Sequence, residues 1–308
     1  MTADITAAVL GSASAATAER VRATVALLQR RGYALPPGRL GHLTLGGAVT
    51  ETDVRRIVAF DSELTISAGL VLHKSQEGRA STIAARASGH RFGSAQYLPM
   101  TLRFVERLVA VAPFIRSVAI AGSLASGGFV PCDDVDLNLI VDDGHRHLAY
   151  VALNTIGLLH AVRHRNKPVD DLTRRPIAPR LMTANLILEF SECHPLVRQD
   201  EDMAFELMAS EPVYGAGVFR EMVDANPGLL QHFPQLARKR APLERTTSAQ
   251  PKARWVRVGA LEGLAKRVGG AAWRYMQWTR RNRPEALARV AFVRRTMRPY
   301  ALFDDNAL

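Results

Sequence analysis

Cysteine and long apolar segments are scarce in this sequence. The chain has 308 residues but only two cysteines, Cys132 and Cys193, so no disulfide framework can form, and neither has a neighbour at the spacing of metal ligands. No apolar run approaches the about 20 residues that a transmembrane helix needs. The N-terminus also lacks the basic start and leucine-rich centre of a signal peptide. We therefore expect a soluble, cytoplasmic protein.

Acidic residues are rare near the C-terminus. Between Arg238 and Arg298 there are three, against 17 lysines and arginines, which is a net charge of +14. The whole chain carries +11, so the rest of it sums to −3. Such a basic segment indicates a phosphate-rich partner, a nucleic acid first and an anionic membrane surface second. A solvated helical face is the alternative interpretation.

The overall composition is that of a globular protein. Hydrophobic residues make up 47% of the chain and charged residues 22%, which excludes a disordered chain or a fibre. At roughly 150 residues per domain, the length predicts about two domains. The segment patterns predict three consecutive parts: a winged-helix-like region with a connector over 1–90, a central part over 91–237, and a basic helical segment over 238–308.

The first part has the pattern of helices followed by a hairpin. Apolar residues at three-to-four-residue spacing predict a helix over 17–32, and Thr50 or Thr52 can cap a second, shorter helix. Two β-rich pieces, Leu64–Ile66 and Leu70–Leu72, are joined by Ser-Ala-Gly, which predicts a hairpin. This order of elements is typical of a winged-helix module, although other small α+β domains share it.

The central part alternates helices and strands. A polar stretch over 77–97 is predicted to be a connector, and the chain after the third strand is predicted to be helical as far as Pro234. Periodicity predicts helices over about 100–112 and 147–162, and strands over 117–121, 135–141 and 181–190.

The most informative stretch joins the first two of these strands. One strand ends in Gly122-Ser123 and turns into a loop of small residues, where backbone N–H groups and the serine hydroxyl can approach a phosphate closely. Asp134 and Asp136 are two residues apart on the next strand, so both carboxylates project from the same face. The opposite face of that strand is wholly apolar, which anchors it in a core.

Two crowded carboxylates repel each other, and protons or a divalent cation relieve that repulsion. Oxygen ligands beside a phosphate-binding loop favour Mg²⁺ or Mn²⁺, ions that can activate an attacking oxygen and neutralise a leaving one. An Asp-x-Asp pattern alone is more often a solvent-facing strand edge. The serine eleven residues before Asp134, at the end of another strand, favours a site instead.

The pattern apolar-Gly-Ser, a short loop, then Asp-apolar-Asp-apolar resembles the signature of the polymerase-β-like nucleotidyltransferase superfamily. Gly122 and Ser123 match its Gly-Ser element, and Asp134 and Asp136 match its first two metal-binding carboxylates. The resemblance implies transfer of a nucleoside monophosphate from a nucleoside triphosphate (NTP) to an acceptor, which could be a small molecule, a protein or an RNA, with release of pyrophosphate. A looser match over residues 45–235 is to a bacterial subgroup with an N-terminal winged-helix-like region.

Together, the pattern and the resemblance predict an α+β fold. Its core is a small mixed β-sheet of the nucleotidyltransferase type flanked by helices, with an N-terminal winged-helix-like module and a helical C-terminal segment. The superfamily usually adds a third carboxylate on a later strand. In the predicted strand 181–190, Glu189 is the candidate third acid, whereas Asn185 on the same face could be a ligand but not a base. If neither serves, the metal site is weaker or the transferase is inactive.

A bound triphosphate also needs cationic partners, and arginine offers a bidentate fork. The loop before the third strand supplies four of them, of which Arg180, at the opening of the strand, is the predicted nucleotide-binding residue. The other three are Lys167, Arg174 and Arg175.

The basic segment contains an apolar stripe at helical spacing, with lysines and arginines mostly at its sides. This pattern predicts a helix packed on the core through the stripe and cationic on its outer face. The tryptophans Trp273 and Trp278 could instead stack on bases or lie among lipid headgroups. The stripe consists of Trp255, Val258, Leu261, Leu264 or Ala265, Val268, Ala272 and Tyr275.

Two classes of function therefore remain open. The first is a metal-dependent nucleotidyltransferase whose acceptor and oligomeric state the sequence does not identify. The second is a non-catalytic nucleic-acid-binding protein, in which the winged-helix-like region is the reader and the transferase domain is degenerate. The joint presence of Gly122-Ser123 and of Asp134 and Asp136 favours the first.

Overall fold

The computed structural model describes residues 2–164, 167–168, 181–244 and 259–297. Over these residues the protein is an α+β fold with a small mixed sheet and helices, as predicted. They pack into two compact units: an N-terminal unit within residues 1–88, 200–208 and 228–239, and a sheet unit within residues 89–199, 209–227 and 240–308. This grouping differs from the three consecutive parts predicted above, because two later segments of chain return to the N-terminal unit.

The N-terminal unit begins with three helices and a hairpin. The Thr50 side chain accepts a hydrogen bond from the backbone N–H of Asp53 at 3.1 Å, so the predicted cap of the third helix is confirmed. The hairpin is also confirmed, and its two turn residues, Ala68 and Gly69, both have positive φ, as a tight two-residue turn requires. The elements are α1 (Thr2–Arg30), α2 (Pro37–His42), α3 (Glu51–Phe60), β1 (Leu64–Ser67) and β2 (Leu70–His73).

The connector predicted over 77–97 is wrong. After a short 3-10 turn, a single helix of 32 residues, α4 (Ala80–Val111), occupies most of that stretch and the predicted helix after it. The buried side of α4 continues upstream of Met100 through Tyr97 and Gly93. Because small residues carry much of this upstream stripe, a pattern of large apolar residues does not reveal it.

The sheet unit is built on four strands in the order β5-β4-β3-β6. Strand β3 pairs antiparallel with β4 and β6, whereas β4 and β5 run parallel and are connected through the helix α6. A short helix, α5, follows β3 where a loop was predicted. The elements are β3 (Ile115–Ala121), α5 (Gly122–Ser126), β4 (Val135–Val141), α6 (Arg146–Val162) and β5 (Met182–Glu189).

The fourth strand, β6 (Glu211–Tyr214), was not predicted, since the chain after β5 was expected to be helical. The strand is four residues long and contains Pro212, which a sheet edge tolerates because its outer side needs no N–H donor. Helices follow it and precede it: α7 (Glu201–Ala209), α8 (Ala216–Asp224), α9 (Pro227–His232), α10 (Gly259–Arg280) and α11 (Pro284–Met297). None of the helices in the described ranges is both long and apolar enough to cross a membrane.

Helix α10 packs on α6, but through a different face from the one predicted. Its inner face is formed by Ala265, Gly269, Trp273 and Gln277, which are all buried, with Trp273 in the same apolar core as the sheet. Of the predicted stripe, the alternative member Ala265 is on this buried face, whereas Leu264 is 57% exposed and Val268 is 51% exposed. Its first members, Trp255 and Val258, lie outside the described residues.

A carboxylate of α10 fixes this packing. Glu262 accepts hydrogen bonds from the backbone N–H groups of His147 at 2.7 Å and Leu148 at 2.8 Å, and its carboxylate also contacts the His147 ring nitrogen at 2.7 Å. These N–H groups belong to the first turn of α6 and have no partner within that helix. The negative charge of Glu262 therefore caps α6 and attaches α10 to the sheet unit.

Candidate functional site

The two halves of the sequence motif meet at one end of the sheet. Because β3 and β4 are antiparallel neighbours, the last residue of β3, Ala121, is paired with Asp136 near the start of β4. Gly122 follows directly with a φ of 59°, in the left-handed region that favours glycine. A Cβ atom at Gly122 would overlap the Asp136 carboxylate oxygen Oδ2 and lie 3.0 Å from its Cγ. The missing side chain of Gly122 thus gives the Asp136 carboxylate room to lie directly against the turn.

The partner of Asp136 on the third strand is Thr183. The parallel register pairs Asp136 with Thr183, and the threonine hydroxyl donates a hydrogen bond to Asp136 Oδ1 at 2.7 Å. Thr183 was not singled out from the sequence, although it lies two residues before Asn185 and therefore shares its face of the strand. One carboxylate oxygen of Asp136 is oriented by this bond, and the other faces Gly122.

The same register removes Glu189 from the site. Glu189 is paired with Val141, six residues further along β5 than Thr183, or about 20 Å along the strand. There it takes part in the capping box of the short 3-10 helix Phe190–Cys193. The prediction that Glu189 supplies a third acid is therefore wrong in this structure, because parallel pairing places it at the opposite end of the sheet.

Asn185 lies nearer to Asp136 along the sheet than Glu189 does, but its side chain is hydrogen-bonded to another amide. Its Nδ2 donates a hydrogen bond to Oδ1 of Asn138 at 3.1 Å, and both side chains are buried. Asn138 lies two residues after Asp136 on the polar side predicted for β4, so this side continues into the sheet with one pair of hydrogen-bonded amides. In the described part of the chain, no three residues among His, Cys, Asp and Glu are placed to hold one metal ion. Protein ligands for a cation at this site would thus come from Asp134 and Asp136.

The loop between α5 and β4 is held from inside the protein. Ser123 Oγ donates a hydrogen bond to Asp133 Oδ2 at 2.8 Å, and the same oxygen accepts one from the Val130 backbone N–H at 3.2 Å. The N–H groups of Gly127 and Gly128 both donate to the Ser123 carbonyl, at 3.1 and 3.0 Å. The Ser123 hydroxyl, a predicted phosphate contact, and these two N–H groups thus form internal bonds that shape the loop.

Helix α4 supports this loop from its other side. The ring of Tyr97 lies 5.0 Å from that of Phe129, and its hydroxyl donates to the Pro131 carbonyl at 3.4 Å. Burial raises the pKa of Tyr97, so the phenol stays protonated and remains a donor. His90 Nδ1 accepts a hydrogen bond from the Phe129 backbone N–H at 3.2 Å. None of these supports was visible in the sequence, because the stretch containing them was predicted to be a connector.

One of the four predicted cations reaches the loop. Lys167 is buried, and its Nζ donates a hydrogen bond to the carbonyl oxygen of Cys132 at 3.3 Å, next to Asp133 and Asp134 in sequence. A positively charged side chain is therefore held at the loop that leads into the aspartates. Arg174, Arg175 and Arg180 lie outside the described residues.

The role of Ser123 in the loop leads to a first prediction. Replacing Ser123 with alanine removes a hydrogen bond to a carboxylate, so we expect the free energy of unfolding to fall by about 1 kcal/mol. Ser126→Ala is the matched control, because the Ser126 hydroxyl is buried on the same short helix without a partner in the described ranges. Urea unfolding followed by circular dichroism measures both. Equal losses in the two variants would contradict the assigned bond.

No protein-family model matches the chain, and no curated protein matches it in sequence. The site is therefore interpreted from its own geometry.

Proposed function

We propose that the sheet unit is a metal-dependent nucleotidyltransferase. It transfers a nucleoside monophosphate from an NTP to an acceptor, which could be a small molecule, a protein or an RNA, and pyrophosphate leaves. The observation that carries this proposal is the meeting of Gly122 and Asp136, where the half-buried Asp136 carboxylate lies directly against the glycine turn and is oriented by Thr183. The nucleotidyltransferase type of core and the winged-helix-like module belong to the same proposal.

The donor set at this position suits a hard divalent cation. Asp134 and Asp136 would hold Mg²⁺ or Mn²⁺ through carboxylate oxygens, with phosphate oxygens or water completing the shell. Such an ion, when bound, activates the attacking oxygen and offsets the charge that develops on the leaving phosphate. The absence of a carboxylate opposite Asp136 on β5 means that the protein supplies fewer charged ligands than the superfamily pattern implies.

Further residues of the chain would have separate roles in binding the nucleotide or in shaping the site. Gly122 would let the Asp136 carboxylate lie against the turn, and Thr183 would hold Asp136 Oδ1 while Oδ2 lies beside Gly122. Lys167 adds a positive charge beside the loop, where it would offset charge on the triphosphate. Ser123 acts through Asp133 as a positioning residue for the loop. Arg180 remains a proposed nucleotide contact from sequence.

A test compares thermal unfolding with and without ATP and Mn²⁺. A ligand at about 100 times its Kd stabilises the native state by about 2.7 kcal/mol, which raises the Tm by about 5 °C or more. We expect this rise in the natural protein and its loss in Asp134→Asn/Asp136→Asn. The matched control Asp142→Asn/Glu189→Gln also removes two carboxylates, at the opposite end of the sheet, and should keep the rise.

A second candidate function rests on one specific observation. The position opposite Asp136 is Thr183 and not an acid, which also suits a degenerate transferase domain in a protein that binds nucleic acid without catalysis. The same experiment separates the two. If ATP with Mn²⁺ leaves the Tm of the natural protein unchanged, the transferase proposal fails and the second candidate takes its place.

A further inference from the structure

Helix α10 has an outer face that its packing on α6 does not use. Leu261, Val268 and Tyr275 on this face are seven residues apart, and so are the residues from Leu264 to Trp278 that continue it. Together they form one stripe along about 26 Å of helix. Ala271 lies in the stripe between Leu264 and Trp278 and is also exposed. The large members of this outer stripe are Leu261, Leu264, Val268, Tyr275 and Trp278, with exposed fractions of 43%, 57%, 51%, 48% and 48%.

The charge on the exposed sides of α10 is of one sign. The helix contains a single acidic residue, Glu262, and that carboxylate is turned inward to cap α6. Arg267 and Arg274, and Arg281 directly after the helix, recur at seven-residue intervals along one flank of the outer stripe, and all three are exposed. The outer stripe is therefore bordered by positive charge, with no negative charge from the helix beside it.

The two aromatic residues at the end of the stripe form a unit with one of these arginines. The rings of Tyr275 and Trp278 stack with centroids 6.1 Å apart, and the Arg281 guanidinium lies 4.4 Å from the centre of the Trp278 ring. Tyrosine and tryptophan beside arginine are typical of the boundary between water and lipid, because their rings are apolar and their edges polar.

The three possible occupants of this face differ in the chemistry they need. A coiled coil with a second copy normally needs three or four heptads and complementary charges at its flanks, whereas this stripe covers about two and a half and carries only arginine. A nucleic acid would satisfy the arginines and stack on the aromatic rings, but it has no use for Leu261, Leu264 and Val268. An anionic lipid surface satisfies the apolar and the basic residues together.

We propose that the outer stripe of α10, with its flank of arginines, docks the protein on an anionic lipid surface. The helix lies in the interface with Leu261, Leu264 and Val268 turned toward the acyl chains. Arg267, Arg274 and Arg281 then reach the lipid phosphates. Because Glu262 and Trp273 hold the inner face on the sheet unit, the binding face is formed before it meets the membrane. This proposal is independent of the nucleotide site.

The first test measures co-sedimentation of the full chain with vesicles. We expect binding to vesicles of phosphatidylcholine and phosphatidylglycerol in equal amounts, and little to phosphatidylcholine alone. Leu264→Asn/Val268→Asn should lower the partition coefficient at least about tenfold, since two apolar side chains no longer leave water. The control Phe60→Asn/Phe92→Asn also removes two exposed apolar side chains, on α3 and α4, and should bind as the natural protein does.

The second test changes charge instead of apolar area. Arg267→Gln/Arg274→Gln should weaken partitioning to the anionic vesicles about 30-fold, at about a factor of five for each basic residue near the surface. Arg55→Gln/Arg56→Gln removes the same charge from α3 and should change it little. Thermal unfolding of each variant without vesicles confirms that all of them fold.

Three results would overturn the proposal. One is a full chain that stays in the supernatant with anionic vesicles, and another is stripe variants that bind as well as the natural protein. The third is a full chain that does not bind vesicles and whose stripe variants lose RNA binding, or lose dimerisation as measured by light scattering. That result would assign the face to a nucleic acid or to a second copy.

Discussion

Replacing Gly122 with alanine should abolish the rise in Tm that ATP and Mn²⁺ produce. The added Cβ would overlap Asp136 Oδ2, so the carboxylate would have to leave the position in which Thr183 orients it. The alanine would also be held at a φ of 59°, which costs about 1–2 kcal/mol for a residue with a side chain. We therefore expect both a lower Tm and no response to the nucleotide.

The control for this variant is Gly144→Ala. Gly144 has a φ of 73°, and a Cβ atom added there would meet no atom within 4 Å. Its replacement therefore has the same backbone cost as that of Gly122 without a collision with a neighbouring side chain. Its Tm should fall by the amount due to backbone strain alone, and its response to ATP and Mn²⁺ should be intact. A Gly122→Ala protein that responds to the nucleotide as the natural protein does would exclude a metal and nucleotide site at Asp136.

The second large effect is expected at Trp273. This side chain is 7% exposed and belongs to the core of the sheet unit, so Trp273→Ala leaves a cavity and should lower the free energy of unfolding by about 3 kcal/mol or more. Trp278→Ala is the matched control, because this tryptophan is on the same helix and 48% exposed. Its expected loss is within about 0.5 kcal/mol.

Urea unfolding of the full chain, followed by circular dichroism, measures both tryptophan variants. Circular dichroism is preferred to fluorescence since each variant removes one of only three tryptophans. Similar losses in the two variants would mean that α10 does not pack through Trp273. In that case the outer stripe would also lose its assignment as the exposed face, so this result bears on the lipid-binding proposal as well.

Several local elements could be predicted because their causes are local. The alternation on β4 places apolar residues from Val135 to Val141 on one side, and this alone indicates a strand with an apolar face in the core. In the structure the other face is buried as well, at Asn138 and Ile140. The cap at Thr50 and the turn at Ala68-Gly69 depend on side chains and backbone within a few residues. The approach of Gly-Ser to Asp-x-Asp follows once two such strands are antiparallel neighbours.

Other features depend on pairing between distant segments. The segment 200–208 belongs to the N-terminal unit because Arg31 Nη2 reaches Asp202 Oδ1 at 2.5 Å and its guanidinium lies 4.8 Å from the centre of the Phe205 ring. Nothing close in sequence to Asp202 indicates that partner. The upstream half of α4 is similar, since its small residues acquire a buried face only when Phe129 packs against Gly93 and Tyr97.

By itself, the sequence determined the mixed fold class and the strands that carry the motif, because each depends on periodicity or on short-range chemistry. The tertiary structure alone decided which residue of β5 faces Asp136 and which face of α10 is buried. Period-two alternation makes Thr183, Asn185 and Glu189 equivalent, and only the parallel register selects Thr183. Likewise α10 has two possible apolar faces, and the bonds from Glu262 to the start of α6 select the one that contains Trp273.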